Sequence, residues 1–270
     1  LEAACTAAEV GCNTFLLEKS NELGGLASLI SKIPAKNRLA DFPHYLMHRA
    51  EQLDNLYIFK NTEGTPENIR KFHPNIIVSS TGSAPLLPPI AGLKDRIDNE
   101  NHNIYSILGM ISHINDFPKD LEGKKVVVVG GGAVGLDVVE FFADRNADIS
   151  IVEMMDQIGR DLDPVSKNDT KTMMKKHNVH QLTKTALLEV KDSSFLVKGD
   201  GEPYELPFEY GFVCLGMRAQ GQLYQNLTEE FSSEDVEIMN IGDSQRARRI
   251  IDGTQEGRNI LTVLEQKGYL

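Results

Sequence analysis

Three glycines in the middle of the chain have the spacing of a phosphate-binding loop. Gly130, Gly132 and Gly135 form the pattern G-x-G-x-x-G within the stretch KKVVVVGGGAVG. Such a loop permits a tight turn and a close approach of a pyrophosphate to the backbone, and the free N–H groups at the start of the following helix attract negative charge. The pattern therefore predicts a dinucleotide site, with Ala133 and Val134 at the helix N-terminus.

The elements around these glycines agree with that interpretation. Val126–Val129 is an apolar, β-branched run, which is typical of a parallel strand buried on both faces. The next predicted strand, DISIVE, ends in Glu153. A carboxylate at this position accepts hydrogen bonds from an adenosine ribose and repels a 2′-phosphate, so NADH is favoured over NADPH. The alternative is a glycine turn in an ordinary βαβ unit with a surface Glu.

The same order of helix, strand and acid occurs at the beginning of the chain. LEAACTAAEVGCNTFLLEKSNELGG aligns without a gap on LDVVEFFADRNADISIVEMMDQIGR at a constant offset of 135 residues, which matches Glu18 with Glu153. Glu18 is therefore a candidate ribose ligand of a second dinucleotide, although alone it would be interpreted as a solvated acid. By the same register, the last glycine of a first loop falls just before Leu1. We therefore expect a fragment that lacks its first strand and phosphate loop and binds its first dinucleotide poorly or not at all.

Two further groups of residues follow predicted strands. The strand Asn75–Ser80 is followed by Thr81-Gly82 and a proline-rich stretch, which we interpret as a domain connector, with a plain surface loop as the alternative. The strand in VEIMNIGD ends at Gly242-Asp243. Because open α/β sheets bind ligands at the carboxyl ends of their strands, Asp243 is a candidate ligand residue, with a turn or helix-capping role as the alternative.

The remaining pattern predicts ordinary local structure. Helices are expected over about Leu39–Leu53, Pro164–His177 and Gly253–Leu270, and Thr65 before Pro66 has the pattern of a helix N-cap. Asp200-Gly201 is a hairpin-turn signal.

Length, charge and cysteine content limit the function classes. A chain of 270 residues predicts one large or two medium-sized domains. The net charge of −11 argues against nucleic acid or an anionic membrane as a partner. No apolar run approaches a membrane span, and no signal-peptide pattern is present. Cys5, Cys12 and Cys214 lack C-x-x-C spacing and are typical of reduced thiols, so a cytoplasmic protein is expected.

Five ordered motifs resemble those of flavoprotein pyridine-nucleotide oxidoreductases with two dinucleotide domains: LLEKSNELGG, STGSAPLLPPIAGL, VVVVGGGAVGLDVVE, VCLGMR and NIGDSQRARRIIDGTQEGRNI. More closely, the chain is similar to the C-terminal half of the NADH:flavin oxidoreductases related to old yellow enzyme, such as 2-enoate reductase, 2,4-dienoyl-CoA reductase and trimethylamine dehydrogenase. The resemblance implies an α/β fold with two Rossmann-like domains of the pyridine nucleotide-disulfide oxidoreductase type. The NAD(H) domain, 103–216, would be inserted in a truncated FAD domain, 1–102 and 217–270.

The resemblance also implies roles for single residues. The implied FAD ligands lie in the outer parts of the chain: Glu18, Lys19, Gly25, Thr81, Gly82, Gly242 and Asp243. The implied NADH ligands lie in its middle: Gly130, Gly132, Ala133, Val134, Gly135, Glu153 and Gly216. Within these sets, Glu18 would hold the FAD ribose, Asp243 would bind the ribityl chain, and Gly216 would lie beside the nicotinamide.

The function that the resemblance implies needs a second part of a longer protein. The family architecture places FMN and a 4Fe–4S cluster in an N-terminal barrel, so NADH would reduce FAD and the electrons would pass to the barrel, which reduces an enoate or enone substrate. The sequence offers no close pair of cysteines for a redox disulfide. This fragment alone is expected to be inactive. A non-catalytic, ADP-type nucleotide-binding module and a stand-alone ferredoxin-reductase-like enzyme stay open, as does the oligomeric state.

Overall fold

The computed structural model describes residues Leu1–Leu270 as a mixed α/β fold. Its helices are α1 (Glu2–Glu9), α2 (Gly25–Ile30), α3 (Asp41–Glu51), α4 (Pro66–Arg70), α5 (Leu93–Arg96), α6 (Ile107–Ser112), α7 (Ala133–Ala143), α8 (Pro164–Lys176), α9 (Gln222–Glu230), α10 (Ile250–Arg258) and α11 (Ile260–Gln266). Its strands are β1 (Thr14–Leu17), β2 (Leu56–Phe59), β3 (Ile76–Ser79), β4 (Ser83–Pro85), β5 (Ile104–Tyr105), β6 (Lys125–Val129), β7 (Asp148–Val152), β8 (His180–Leu182), β9 (Ala186–Val190), β10 (Ser194–Lys198), β11 (Tyr204–Pro207), β12 (Tyr210–Val213), β13 (Met217–Ala219) and β14 (Glu237–Asn240). Short 3₁₀ helices cover Pro34–Ala40 and Gly242–Ser244.

The chain divides into two compact units. Unit 1 consists of Leu1–Ser31, Lys36–Ala84 and Met217–Leu270, and unit 2 consists of Lys32–Ala35 and Pro85–Gly216. Apart from the short segment 32–35, the chain passes from unit 1 to unit 2 at 84/85 and back at 216/217. The sequence predicted domain boundaries at 102/103 and 216/217.

Contacts made by residues 85–102 explain this difference. Ala91 forms a parallel bridge with Glu189, and its carbonyl accepts a hydrogen bond of 2.8 Å from the Val190 N–H. Leu93 and Ile97 are buried in the same apolar cluster as Val190. The proline-rich stretch therefore continues into the core of unit 2, and the connector is shorter than the composition suggested.

Unit 2 is built on a five-stranded parallel sheet with the order β5-β12-β6-β7-β8. Strand β6 lies at the centre, and its residues Val126–Val129 are all buried, as a strand covered on both faces requires. Helix α7 follows β6 and packs against β6, β7 and β12. A separate antiparallel sheet has the order β11-β10-β9, and Asp200-Gly201 lies in the turn that joins β10 to β11, which confirms the hairpin signal.

Unit 1 contains two separate parallel ribbons. Strand β1 pairs with β2, and β3 pairs with β14, but no hydrogen-bonded ladder joins the two pairs. Helix α1 packs against both ribbons through adjacent residues, because Ala8 belongs to a cluster with Leu16 and Ala7 belongs to a cluster with Ile76. In unit 2, α7 has the same relation to β7 and β12, and there β6 lies between those two strands.

Most local predictions agree with the structure. The Thr65 hydroxyl accepts the Asn68 N–H at 3.2 Å and caps α4, with Pro66 at its first position. The helix expected over Leu39–Leu53 begins at Asp41, after a 3₁₀ helix. The helix expected over Gly253–Leu270 is divided at Asn259 into α10 and α11. None of the helices combines the length and the apolar character that crossing a lipid bilayer requires.

Candidate functional site

The glycine loop between β6 and α7 has two tight positions and one open one. A Cβ atom on Gly130, whose φ is 109°, would lie 2.1 Å from the Cys214 carbonyl oxygen. A Cβ atom on Gly135 would lie 1.9 Å from the Gly130 carbonyl oxygen. Gly132 differs, because a Cβ atom there would meet nothing within 4 Å. The loop therefore needs two of its glycines for its own packing, while the third leaves space beside the backbone.

The carboxylate of Glu153 is attached to this loop. Its Oε2 accepts a hydrogen bond of 2.6 Å from the Gly131 N–H, and its Oε1 accepts one of 2.7 Å from the Met155 N–H. The Gly159 N–H in turn donates to the Gly131 carbonyl at 2.7 Å, so the segment after Glu153 returns to the loop. Each carboxylate oxygen can accept a further hydrogen bond, so the half-buried group retains capacity for a pair of ribose hydroxyls.

The other residues implied for NADH lie at the start of α7 and after β12, the strand that pairs with β6. Ala133 begins α7 and is exposed, and Val134 follows it half-buried. Gly216 is exposed, has a φ of 105° and accepts the Leu86 N–H through its carbonyl at 2.9 Å. Gly130 is tied to the neighbouring strand, because its N–H donates to the Val152 carbonyl at 2.8 Å.

The acid of the first repeat has the same local geometry. Glu18 Oε1 accepts the Ser20 N–H at 2.8 Å, as Glu153 Oε1 accepts the N–H two residues further on. The Ser20 carbonyl accepts the Asn61 N–H at 2.9 Å, and the Met155 carbonyl accepts the Lys184 N–H at the same distance. Asn61 and Lys184 both have a positive φ, 51° and 50°. The structural repeat thus extends to the residues after β2 in unit 1 and after β8 in unit 2, where the offset of 135 residues no longer applies.

Glu18 directly follows β1, and α1 packs against this strand. Lys19 is exposed, and Gly25, with a φ of 53°, begins α2 with open space where a side chain would be. Glu18 therefore follows a strand that packs against α1, as Glu153 follows β7, which packs against α7.

A second cluster of the predicted residues forms around Asp243. Its Oδ2 accepts the hydroxyl of the buried Ser83 at 3.0 Å, and its Oδ1 accepts the Arg248 N–H at 3.0 Å. The Thr81 hydroxyl donates to the Gln220 carbonyl at 2.5 Å. The segments 81–83 and 242–248 are therefore brought together, whereas Glu18 has a separate set of hydrogen-bond partners.

The conformations of two glycines shape this cluster. Gly82 has a φ of 74° with open space beside it, and Gly242 has a φ of 65°. Both angles favour glycine, because a side chain is strained in this region. The Gly242 N–H donates to Glu256 Oε2 at 2.6 Å.

Two residues of this cluster were not predicted from the sequence. Ser83 was treated as part of the connector, and Glu256 as part of a final helix. Only their side-chain contacts with the 242–248 segment identify them. The position of Ser83 directly after Thr81-Gly82 could have indicated the first, but no local signal indicates the second.

The three cysteines do not provide a reactive pair. All are free, and Cys214 is buried beside the glycine loop. Burial raises the pKa of its thiol to about 12, so this group is neutral at physiological pH. Burial also raises the pKa of Cys5 and of Cys12.

Comparison with known proteins agrees with this geometry. Residues 47–239 match the family model described as "Pyridine nucleotide-disulphide oxidoreductase". The chain belongs to this family. The match covers β6, the glycine loop, α7 and Glu153, and it confirms the two-domain dinucleotide-binding fold that the sequence motifs implied.

The members most similar to the chain include larger reductases and oxidases. An NADH oxidase of Thermoanaerobacter brockii is 26% identical over 95% of this chain and 38% of its own length. A metal reductase of Desulforamulus reducens is 26% identical over 96% of this chain and 41% of its own length. The solved structure of a 2-naphthoyl-CoA reductase with 2-naphthoyl-CoA superimposes with a TM-score of 0.81 at 23% identity, over 96% of this chain and 37% of that one. The chain thus spans about two fifths of the length of these relatives.

Proposed function

We propose that unit 2 binds NADH and that unit 1 contributes a site for FAD. The observation that carries the proposal is the repeated arrangement in which an acid directly after a parallel strand accepts the N–H two residues further on. In unit 2 this acid, Glu153, also holds the glycine loop through the Gly131 N–H. NADH supplies a hydride when it is bound, and FAD accepts one.

The residues of unit 2 fit a dinucleotide. Free N–H groups at the start of α7 and the positive end of its dipole would hold the pyrophosphate over the open side of Gly132. Glu153 would accept the two ribose hydroxyls and repel a 2′-phosphate, which favours NADH over NADPH. Ala133 and Val134 would approach the phosphates through their backbone, and Gly216 would lie beside the nicotinamide.

The residues of unit 1 fit part of a second dinucleotide site. Glu18 would hold the FAD ribose with Lys19 beside it, Gly25 would lie near the flavin, and Asp243 would bind the ribityl chain. Thr81, Gly82 and Gly242 would line the same site. The two unjoined ribbons on α1 support the proposal that a further parallel strand and its phosphate loop complete this unit in a longer protein.

The longer protein would receive the electrons. We propose that it contains a barrel domain with FMN and a 4Fe–4S cluster, and that this domain reduces an enoate or enone substrate. The share of two fifths that the chain covers in its relatives leaves room for such a domain.

Anaerobic addition of NADH to the full-length, flavin-loaded protein tests the proposal. We expect the visible absorbance of the flavin to bleach, and NADPH to act more slowly. If the flavin stays oxidised although NADH binds, the redox function is wrong and a structural nucleotide-binding module is the better interpretation. Equilibrium dialysis of the same protein against NADH reports binding independently of the flavin absorbance.

A further inference from the structure

The carboxylate of Glu256 joins the two ends of the segment that carries Asp243. Glu256 lies on α10, and its Oε2 accepts the Gly242 N–H at 2.6 Å. Its Oε1 is paired with the guanidinium group of Arg248. The side chains of Arg248 and Glu256 are only 29% and 23% exposed. Solvent therefore screens this ion pair less than a pair on the open surface.

Asp243 lies between these two points of attachment. Arg248 donates its N–H to Asp243 Oδ1, while its guanidinium group is held by Glu256. Hydrogen bonding with Glu256 raises the pKa of Arg248 above its usual range, so the charge on the arginine is secure. The position of Asp243 therefore depends on Glu256 through the preceding residue, Gly242, and through Arg248, five residues further on.

The turn at Gly242 lies against α10. Its φ of 65° is a conformation that glycine adopts readily and other residues do not. Helix α10 passes close to it, because a Cβ atom on Gly253 would lie 3.5 Å from the Gly242 Cα. Glu256, one turn further along α10, accepts the one N–H that this turn directs towards the helix.

We propose that Glu256 is a positioning residue of the flavin site, which fixes the 242–248 segment so that the Asp243 carboxylate is presented to the ribityl hydroxyls. This inference rests on the proposed role of Asp243. Without Glu256, the Gly242 N–H loses its acceptor and the Arg248 guanidinium loses its counter-charge. The segment then adopts other conformations, and Asp243 is directed at the ligand for only part of the time. The competing interpretation is an ion pair that only stabilises α10.

Hydrogen exchange of the chain without ligand tests the first step. In Glu256→Ala we expect the amides of Gly242 and Arg248 to exchange about 10-fold faster or more, because one donor is left without a partner. Glu256→Gln keeps an acceptor for Gly242 and should restore most of the protection at that amide. Glu265→Ala, an exposed position on α11, is the matched control and should change neither amide. Unchanged exchange in Glu256→Ala would overturn the proposal.

A double-mutant cycle on the full-length, flavin-loaded protein tests the second step. If Glu256 acts through Asp243, then Glu256→Ala and Asp243→Asn each weaken FAD binding about 10-fold. The double variant then binds FAD as tightly as the single variant with the lower affinity. Losses that multiply would show an independent, merely structural contribution and contradict the proposal. If Asp243→Asn alone has no effect, the assignment of Asp243 in the proposed function fails. If only Glu256→Ala has no effect, the positioning role fails.

Discussion

Replacing Gly132 with alanine separates binding from folding. The residue has a φ of −79° and a ψ of −178°, which alanine adopts without strain, and a Cβ atom there meets nothing within 4 Å. Reduced freedom of the unfolded chain would stabilise Gly132→Ala by about 0.4–1 kcal/mol. Gly132 is also the N-cap of α7, where alanine is poorer than glycine by about 0.5–1.5 kcal/mol. The two effects oppose each other, so the free energy of unfolding should change by less than about 1 kcal/mol.

Binding of NADH should respond differently to the same substitution. The new methyl group occupies the open side of the loop, where the pyrophosphate would approach the backbone. A methyl group forced into a filled contact costs about 1–3 kcal/mol, which corresponds to a dissociation constant higher by about 5- to 150-fold. At Gly135, in contrast, the Cβ atom would lie 1.9 Å from a backbone oxygen, so Gly135→Ala should damage the fold itself.

Calorimetric titration with NADH and denaturant unfolding of the same samples provide the assay. Gly201→Ala is a matched control, because this exposed glycine in the β10–β11 turn also has nothing within 4 Å of a Cβ position. We expect it to bind NADH as the unchanged chain does. If Gly132→Ala binds NADH with unchanged affinity, the pyrophosphate does not lie over this loop, and the reasoning from the glycine geometry is refuted.

Three other measurements follow from the structure. Glu153→Ala should weaken the binding of NADH by about 10- to 150-fold, because it removes charged hydrogen-bond acceptors, and should weaken the binding of NADPH less. Equal losses of affinity would contradict the assignment of Glu153 to the ribose. Burial raises the pKa of Cys214 to about 12, above the roughly 8.5 of an unfolded thiol, so its contribution to stability is complete below that lower value and is lost as the pH rises towards the higher one. Alkylation of Cys214 should accordingly require unfolding, and rapid labelling of the folded chain would refute its burial. Fusing a copy of residues 125–135 directly before Leu1 should protect the edge amides of β1 and β3 from exchange, and no protection would argue against a missing central strand.

The central part of the fold was predictable because its signals are local. Strand β6, its glycine loop, α7 and Glu153 follow one another within a short stretch, and each restricts the conformation of the next. Residues 91–97 belong to unit 2 through contacts with Val190, about a hundred positions away, so no local signal could place them there. The division of the last helix at Asn259 follows Gly257 by two residues, but an isolated glycine is tolerated inside a helical pattern, so the sequence predicts one continuous helix.

The residues of the candidate sites likewise include some that a local pattern predicts and some that it does not. The acids Glu18 and Glu153 are recognisable because an internal repeat places each after a strand. The partners of Asp243 are not, because Ser83 precedes it by 160 positions and Glu256 lies on the next helix. A sequence pattern can indicate the residue that would contact a ligand, whereas the side chains that hold that residue in place come from segments that are distant in the sequence.

The pairing of β3 with β14 has a consequence for synthesis of the chain. Strand β3 ends at Ser79 and its partner begins at Glu237, so almost all of unit 2 emerges from the ribosome between them. Unit 2 can complete its sheet while the edge of β3 that pairs with β14 is still without its partner. Exposed strand edges pair readily with other chains, so the nascent protein is exposed to aggregation during this interval.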